Sequence, residues 1–126
     1  MPIVQISSNA ALSTQERQDL LLSVAQLVSE VMEKPIQDVM ASFTAADFAM
    51  AGSCEPAVFI DFRCLSGLQA NGVMARLCQG MLDILRQYAP IDSARVYVNF
   101  FEVRPDSAWR FRDGVAVCPK NAIGAR

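Results

Sequence analysis

Residues 56–65 of this 126-residue chain read PAVFIDFRCL, and the alternation of side chains in this stretch is typical of a β-strand. We predict a strand over residues 57–65, whose apolar face carries Val58, Ile60 and Phe62. Apolar residues then recur at three- and four-residue spacing, which predicts a helix over residues 69–87. A proline ends that helix, and residues 95–103 alternate again as a second strand. Residues 56–103 therefore predict a strand–helix–strand (βαβ) unit.

The first half of the chain repeats this order of elements over residues 2–44. A strand at residues 2–7 leads to the capping-box sequence STQE at residues 13–16, which marks the start of a long helix. Pro35 ends the helix, and residues 39–44 form the next strand. With right-handed crossovers, two such units predict an α+β fold: a four-stranded mixed sheet with two helices on one face.

Length and composition indicate a single globular domain over residues 1–126, in which residues 104–126 form a C-terminal extension. Apolar residues make up 52% of the chain, which counts against disorder. The net charge of −2 and the scattered basic residues argue against a nucleic-acid partner, and no stretch is long enough to span a membrane. Because the chain opens without the features of a secretory signal, we expect a cytoplasmic protein.

The residue types available for chemistry are restricted. The chain has no histidine, and its four cysteines form no Cys-x-x-Cys pair, so we expect reduced thiols and no metal or cofactor. Met1 is followed by Pro2, and a residue as small as proline at position 2 usually allows removal of the initiator methionine. The free amine of Pro2 would then titrate near ~8, close to the range of a useful general base. Pro2 is equally compatible with a purely structural place at the start of a strand, where no ladder donor is lost.

The predicted sheet has one face that the two helices do not cover. The last strand places Tyr97, Asn99 and Phe101 on one face and apolar residues on the other. Parallel strands rarely leave such a face open to water, and large apolar patches usually mark an interface. We therefore expect the uncovered face to pack against copies of the same chain in a closed ring, with the residues after Arg104 packing on a neighbour.

Several short motifs, in this order and spacing, resemble the macrophage migration inhibitory factor branch of the tautomerase superfamily. The resemblance runs from Pro2 to about Phe111, and its elements are Met1-Pro2, Lys34-Pro35, GSCEP at residues 52–56, Leu65, RVYVNF at residues 95–100, and Trp109. It implies the double βαβ fold and a homotrimer with pockets between subunits.

The resemblance also implies roles for particular residues. Pro2 would be the catalytic base, acting as a neutral amine whose pKa is depressed by the neighbouring charge of Lys34. Lys34 would also hold the carboxylate of a small 2-oxo acid substrate. The other residues implied in substrate binding are Leu65, Trp109 and, from the adjacent subunit, Tyr97 and Asn99.

Two positions depart from the family pattern. Asp38 stands where well-known members carry a tyrosine at the pocket mouth, and Arg63 replaces a histidine. Both are weaker candidates for substrate binding, because Asp38 fits the cap of a short turn and Arg63 fits a solvated charge at a strand end.

The function that the resemblance implies is keto–enol tautomerisation of a phenylpyruvate-like 2-oxo acid, without a cofactor. Two alternatives stay open. One is a lyase like malonate semialdehyde decarboxylase, in which a protonated Pro2 would act with Asp38 and Arg63. The other is a non-catalytic, cytokine-like binding protein, because a fold does not determine a function.

Overall fold

A computed structural model describes residues 1–119 of the chain. The elements in chain order are β1 (Ile3–Ser8), α1 (Thr14–Met32), β2 (Met40–Ala45), β3 (Val58–Cys64), α2 (Val73–Arg86), β4 (Val96–Glu102), β5 (Arg110–Arg112) and β6 (Val115–Val117). Single turns of 3-10 helix cover Ile36–Asp38, Ser93–Arg95 and Pro105–Ser107. None of the helices within this described part is long and apolar enough to cross a bilayer.

The four long strands form one mixed sheet in the order β2-β1-β3-β4. Strands β1 and β2 are parallel, β3 and β4 are parallel, and the two pairs meet in the antiparallel contact between β1 and β3. This arrangement confirms the predicted fold class of two βαβ units that share one sheet.

Both helices pack on the same face of the sheet. Buried side chains of β1 and β3 meet buried side chains of α1 and α2 in a single core. The rings of Phe62 and Phe100 lie 5.3 Å apart at its centre, tilted to one another as aromatic pairs prefer. The largest apolar core residues are Val4, Ile6, Leu20, Val24, Val28, Ile60, Phe62, Leu77 and Met81.

The opposite face of the sheet carries exposed or half-buried side chains. The strand register places Met40, Ile3, Arg63 and Phe101 in one row across this face. The next rows are Ser42, Gln5, Asp61 and Asn99, and then Thr44, Ser7, Phe59 and Tyr97. Tyr97 is 64% exposed and Met40 63%, so this face presents large apolar groups to solvent in the single chain.

The start of the first helix confirms the capping box. Ser13 Oγ accepts a hydrogen bond from the Glu16 N–H, and the Glu16 carboxylate accepts one from the Ser13 N–H. The helix ends at Met32, just before the predicted Lys34-Pro35 stop. The chain turns there because Glu33 adopts the left-handed conformation (φ 54°) that commonly follows a helix.

The predicted start of the second helix at residue 69 is wrong, because α2 begins at Val73. Gly72 has φ 70°, a backbone conformation that no helix interior allows and that glycine adopts without strain. The apolar pattern of a helix predicts its buried face more firmly than its ends, and the Asn71-Gly72 turn sets the start of α2.

Residues that follow the sheet form a hairpin within the same chain. Strand β5 pairs with β6 in antiparallel register, and Asp113 (φ 52°) and Gly114 (φ 78°) make a two-residue turn of the kind that favours Asp-Gly. Residues 115–117 are therefore paired within the chain. Phe111 is exposed in this hairpin. The remainder of the predicted extension, residues 120–126, lies outside the described residues.

Candidate active site at the N-terminal amine

The chain start is held alongside β2. The Pro2 side chain is fully buried, and the Pro2 carbonyl accepts a hydrogen bond of 3.0 Å from the Met40 N–H. This bond continues the parallel pairing of β1 and β2 by one residue. It fixes the Pro2–Ile3 peptide unit at the end of the sheet, so that Met1 lies immediately before the paired part of β1.

Lys34 is anchored next to this amine by the end of α1. Its N–H donates to the Ser29 carbonyl (3.1 Å), and the Ser29 hydroxyl donates to the Lys34 carbonyl (2.6 Å). The two hydrogen bonds hold the backbone of Lys34 directly after the helix. The Lys34 charge acts on the Met1 amine, which places the two groups in the same site.

Asp38 and Arg110 form an ion pair beside the amine. Arg110 Nη1 lies 3.2 Å from Asp38 Oδ1, and both side chains are partly exposed. The pair connects the turn after Pro35 to strand β5 of the C-terminal hairpin. Both charges act on the Met1 amine, so the hairpin forms one wall of the site.

Burial lowers the pKa of the Met1 amine below its usual value. The Asp38 carboxylate opposes this effect, whereas the positive charges of Lys34 and Arg110 lower the pKa further. Loss of hydration is the largest of these causes, and the Lys34 charge adds to it. An amine with a lowered pKa is neutral in a larger fraction of molecules at neutral pH, as a base requires.

A buried thiol adjoins the amine. Burial raises the pKa of Cys64, and the nearby Glu102 carboxylate raises it further, while the terminal amine and Lys34 act in the opposite direction. The Cys64 thiol is therefore neutral at neutral pH and does not compete with the amine as a base.

Two cavities open on either side of Met1. The first, of about 360 Å³, is lined by Met1, Asp38, Met40, Trp109 and Arg110 among others. The second, of about 240 Å³, includes Met1, Leu65, Arg110, Arg112 and Cys118 in its lining. The indole N–H of Trp109 donates to the Asp106 carbonyl (3.0 Å), which fixes the ring at the rim of the first cavity.

The structure thus brings five of the predicted site residues to one end of the sheet. Leu65 and Trp109 line cavities that touch Met1, and the charges of Lys34 and Asp38 reach its amine. Pro2 follows Met1 in the chain, and its side chain is fully buried.

Three predicted residues lie elsewhere in the single chain. Tyr97 and Asn99 are on the open face of β4, which is the edge strand farther from β1. Arg63 is also on the open face, where its guanidinium binds Asp61 (3.1 Å) and stacks on the Phe101 ring. None of the three lines a cavity next to Met1.

Arg110 and Arg112 were not among the predicted site residues. Both belong to β5, and the two-residue spacing in Trp109-Arg110-Phe111-Arg112 places both arginines on one face of that strand. The Asp113-Gly114 turn between two short alternating runs is the signal that predicts a hairpin here. Only the fold, however, brings that hairpin against the chain start.

The sheet of this chain is a tandem βαβ sheet, and it begins at a partly buried amine. These features place the chain in the class of small proteins called the tautomerase superfamily. Within that class, this chain belongs to the macrophage migration inhibitory factor family, whose family model matches residues 1–111. No match was found among curated proteins.

Several solved structures share the fold. A macrophage migration inhibitory factor-like protein from Entamoeba histolytica is 24% identical, with a TM-score of 0.82 over 88% of this chain and 95% of its own. The macrophage migration inhibitory factor of Toxoplasma gondii is 19% identical, with a TM-score of 0.80 over 88% and 96%. A third protein, solved after inactivation by 2-oxo-3-pentynoate, is 17% identical with a TM-score of 0.79 over 97% and 98%.

Proposed function

We propose that this protein is a keto–enol tautomerase that acts on phenylpyruvate-like 2-oxo acids, with Pro2 as its general base. The observation that carries the proposal is the place of the chain start, where the charges of Lys34, Asp38 and Arg110 act on a partly buried terminal amine. In the untrimmed chain that amine belongs to Met1, and burial lowers its pKa. Once Met1 is removed, the terminal nitrogen belongs to Pro2, and Lys34, Asp38 and Arg110 surround it.

In this mechanism the neutral nitrogen of Pro2 takes the proton of the enol hydroxyl. The carbonyl forms, and the carbon next to it receives a proton from the resulting ammonium, so that the base is restored. Lys34 holds the substrate carboxylate, and its charge offsets the charge that develops on the enolate. Leu65 and Trp109 supply apolar walls for the aromatic ring, as expected for a small-molecule site with few polar groups.

A trimer completes the proposed site. Members of this family are typically oligomeric, and the open face of the sheet presents Tyr97, Asn99 and Phe101 to a neighbour. In a closed ring, Tyr97 and Asn99 of one subunit reach the Pro2 site of the next. Asn99 then donates a hydrogen bond to the enolate or the carboxylate.

Two features support 2-oxo acid chemistry and a reducing compartment. One protein of the same fold was solved after inactivation by 2-oxo-3-pentynoate, which is itself a 2-oxo acid. All four cysteines of this chain are free thiols, in keeping with the proposed cytoplasmic location.

The test of the proposal is an ultraviolet assay of enol loss, with enol phenylpyruvate and enol hydroxyphenylpyruvate as substrates. Intact-mass measurement first establishes that Met1 is absent. We expect trimmed wild-type protein to accelerate ketonisation, and Pro2→Gly to lose a factor of roughly 10² to 10⁴, the usual contribution of a positioned base.

Lys34→Gln provides the second variant in this assay, and it should raise KM because the substrate carboxylate loses its cation. Failure of the trimmed protein to accelerate ketonisation would instead favour the non-catalytic binding protein.

A lyase like malonate semialdehyde decarboxylase is the second candidate, and the position of Asp38 favours it. The Asp38 carboxylate raises the pKa of the amine and pairs with an arginine, although that arginine is Arg110 and not the expected Arg63. The pH profile separates the two candidates. A tautomerase base loses activity as the amine is protonated at low pH, whereas a lyase that uses protonated Pro2 loses activity as pH rises.

A further inference from the structure

The two cavities beside Met1 have only two lining residues in common, Met1 itself and Arg110. The Met1 residue therefore stands between them. Removal of Met1, which the proposed function requires, takes away one of the two residues that both cavities share, and Arg110 is the other. We expect the amine of Pro2 then to face a joined space, made of both cavities, that extends from Trp109 to Leu65. Each cavity alone is near or below the lower end of the usual range for small-molecule sites, about 300–1,000 Å³.

Positive charge predominates in this joined space. The charged side chains in its lining are Asp38, Arg110 and Arg112, and Asp38 is already paired with Arg110 at 3.2 Å. The Lys34 charge also reaches the amine. Glu102 acts on the nearby Cys64 thiol, but it lines neither cavity, and its carboxylate accepts a hydrogen bond from the Leu68 N–H.

Arg112 is the cation in this space that has no anionic partner. Within residues 1–119 its guanidinium makes no hydrogen bond and no ion pair, whereas the side chains of Arg63, Arg104 and Arg110 are each paired with a carboxylate. It lines the second cavity, on the far side of Met1 from Asp38. A guanidinium in this position can bind a carboxylate through two parallel N–H donors.

We propose that the site selects 2-oxo acids that carry a second carboxylate at the end of the molecule remote from the carbonyl. This inference rests on the proposed tautomerase function and specifies its substrate class. The 2-oxo carboxylate binds Lys34 next to Pro2, the body of the substrate lies along the apolar wall that contains Leu65, and Arg112 binds the remote carboxylate. Arg112 is therefore a specificity-determining residue, and phenylpyruvate is a substrate that lacks one of the two charges the site binds.

The experiment uses two substrates that differ only in this group: the enol of phenylpyruvate and the enol of (4-carboxyphenyl)pyruvate. The measured quantity is the ratio of their kcat/KM values with trimmed wild-type protein. We expect the carboxylated substrate to be preferred by about three- to tenfold at low salt, the range for one partly exposed arginine–carboxylate contact. The preference should shrink as ionic strength rises.

Arg112→Gln tests whether Arg112 binds the remote carboxylate. Arg76→Gln is the matched control, because this variant removes the same charge from an exposed position on α2. We expect Arg112→Gln to bring the ratio close to one and Arg76→Gln to leave it at the wild-type value. Turnover of both substrates at equal kcat/KM by wild-type protein would overturn the inference and leave the tautomerase function intact.

A lack of turnover with either substrate would contradict the proposed function instead. Calorimetric titration with the two 2-oxo acids then decides the inference separately. Tighter binding of the dicarboxylate that is lost in Arg112→Gln supports it, and equal binding of the two acids rejects it.

Discussion

The amine at the start of β1 depends on its neighbours in two different ways. Burial lowers its pKa regardless of salt, because lost hydration is not restored by mobile ions. The charges of Asp38, Lys34 and Arg110 act through partly exposed side chains, and their effects weaken at high ionic strength. Asp38 is the one of these three that raises the pKa.

Replacing Asp38 should therefore shift the pH dependence of the proposed reaction. Asp38→Asn removes the charge that raises the pKa of the amine and leaves Arg110 without its carboxylate partner. A base is active in its unprotonated form, so the acidic limb of the kcat/KM profile should move to lower pH by about 0.3–1 unit.

Arg110→Gln should move the same limb to higher pH, since it removes a charge that lowers the pKa of the amine. The control is Asp47→Asn, an exposed carboxylate in the loop after β2. For Asp38→Asn, an acidic limb of the kcat/KM profile that moved to higher pH would show that the Asp38 charge does not raise the pKa of the base.

The sequence predicted the place of a residue in the fold where that residue lies at the end of a strand or helix. Pro2 precedes the first strand and Lys34 follows the first helix, so their places in the fold were predictable from the boundaries of those elements. The ion pair between Asp38 and Arg110 was not predictable, because it joins residues 72 positions apart through a hairpin that packs against the chain start. Such pairings depend on tertiary packing that no local pattern encodes.

At the scale of elements, Arg95 holds the loop that connects the two βαβ units. Its guanidinium donates to four backbone carbonyls of that loop: Met50 (2.9 Å), Ser53 (3.2 Å), Glu55 (2.8 Å) and Pro56 (3.0 Å). The Met50 and Ser53 carbonyls also accept each other's backbone N–H, so Arg95 supports a turn that is already bridged. Arg95 lies immediately before β4.

Arg95→Ala should destabilise the fold by about 2–4 kcal/mol, because several charge-assisted hydrogen bonds are lost together. Arg95→Lys should restore little, since an ammonium cannot present the same fork of donors. Urea unfolding followed by circular dichroism measures both, with Arg76→Ala as the exposed arginine control. A loss within 0.5 kcal/mol, about the effect of an ordinary surface change, would show that the loop does not depend on Arg95.

Gly80 permits the close approach of the two helices. A Cβ atom at this position would lie 2.7 Å from both Cδ atoms of Leu27 on α1. Gly80→Ala should therefore destabilise the wild-type protein, although alanine is the better helix former by about 1 kcal/mol.

In a Leu27→Ala background the same Gly80→Ala change should stabilise the protein, because the overlap is gone and the helix preference remains. A double-mutant cycle of urea unfolding measures this reversal of sign. Equal effects of Gly80→Ala in the two backgrounds would mean that the helices adjust without cost.

The periodic parts of the elements were predictable, and their ends were less so. The apolar stripe of the second helix follows from spacing, since Leu77, Met81 and Leu85 all lie in the core. Its start required recognition that Asn71-Gly72 forms a turn with positive φ at Gly72. A turn of this kind depends on one backbone angle, which an apolar pattern does not report.

At the scale of the whole molecule, the open face of the sheet is the largest feature that a single chain leaves unexplained. Two helices cover one face, and both faces of the edge strand β4 carry aromatic residues. The sequence predicted that one face of the sheet would be uncovered. It did not predict the geometry of the partner surface, because side-chain periodicity does not report the symmetry or the register between chains.

Light scattering coupled to size exclusion should give three times the mass of one 13.8 kDa chain. Tyr97→Asp should lower that mass, since it places a charge on the face that is buried in the proposed trimer. A monomeric wild-type protein at micromolar concentration would contradict the trimer.

Mixing two inactive variants tests whether the site spans two subunits. In the proposed mechanism Pro2→Gly lacks the base, and Asn99→Ala lacks the group that the neighbouring subunit supplies. If equal amounts of the two chains are refolded together, about one quarter of the sites combine an intact Pro2 with an intact Asn99, and activity should return to about that fraction. No recovery from chains that do form mixed trimers would place both residues in the same subunit.

The hairpin that walls the chain start has a consequence for the order in which the protein matures. Residues 108–119, the last described stretch to leave the ribosome, flank Met1, the first residue to leave it. An aminopeptidase therefore meets a fully open initiator methionine before the hairpin forms and a half-buried one afterwards. We expect Met1 to be removed mainly during translation. Overproduction that outruns the processing enzyme should then give folded molecules that keep Met1 and therefore have no free Pro2 amine.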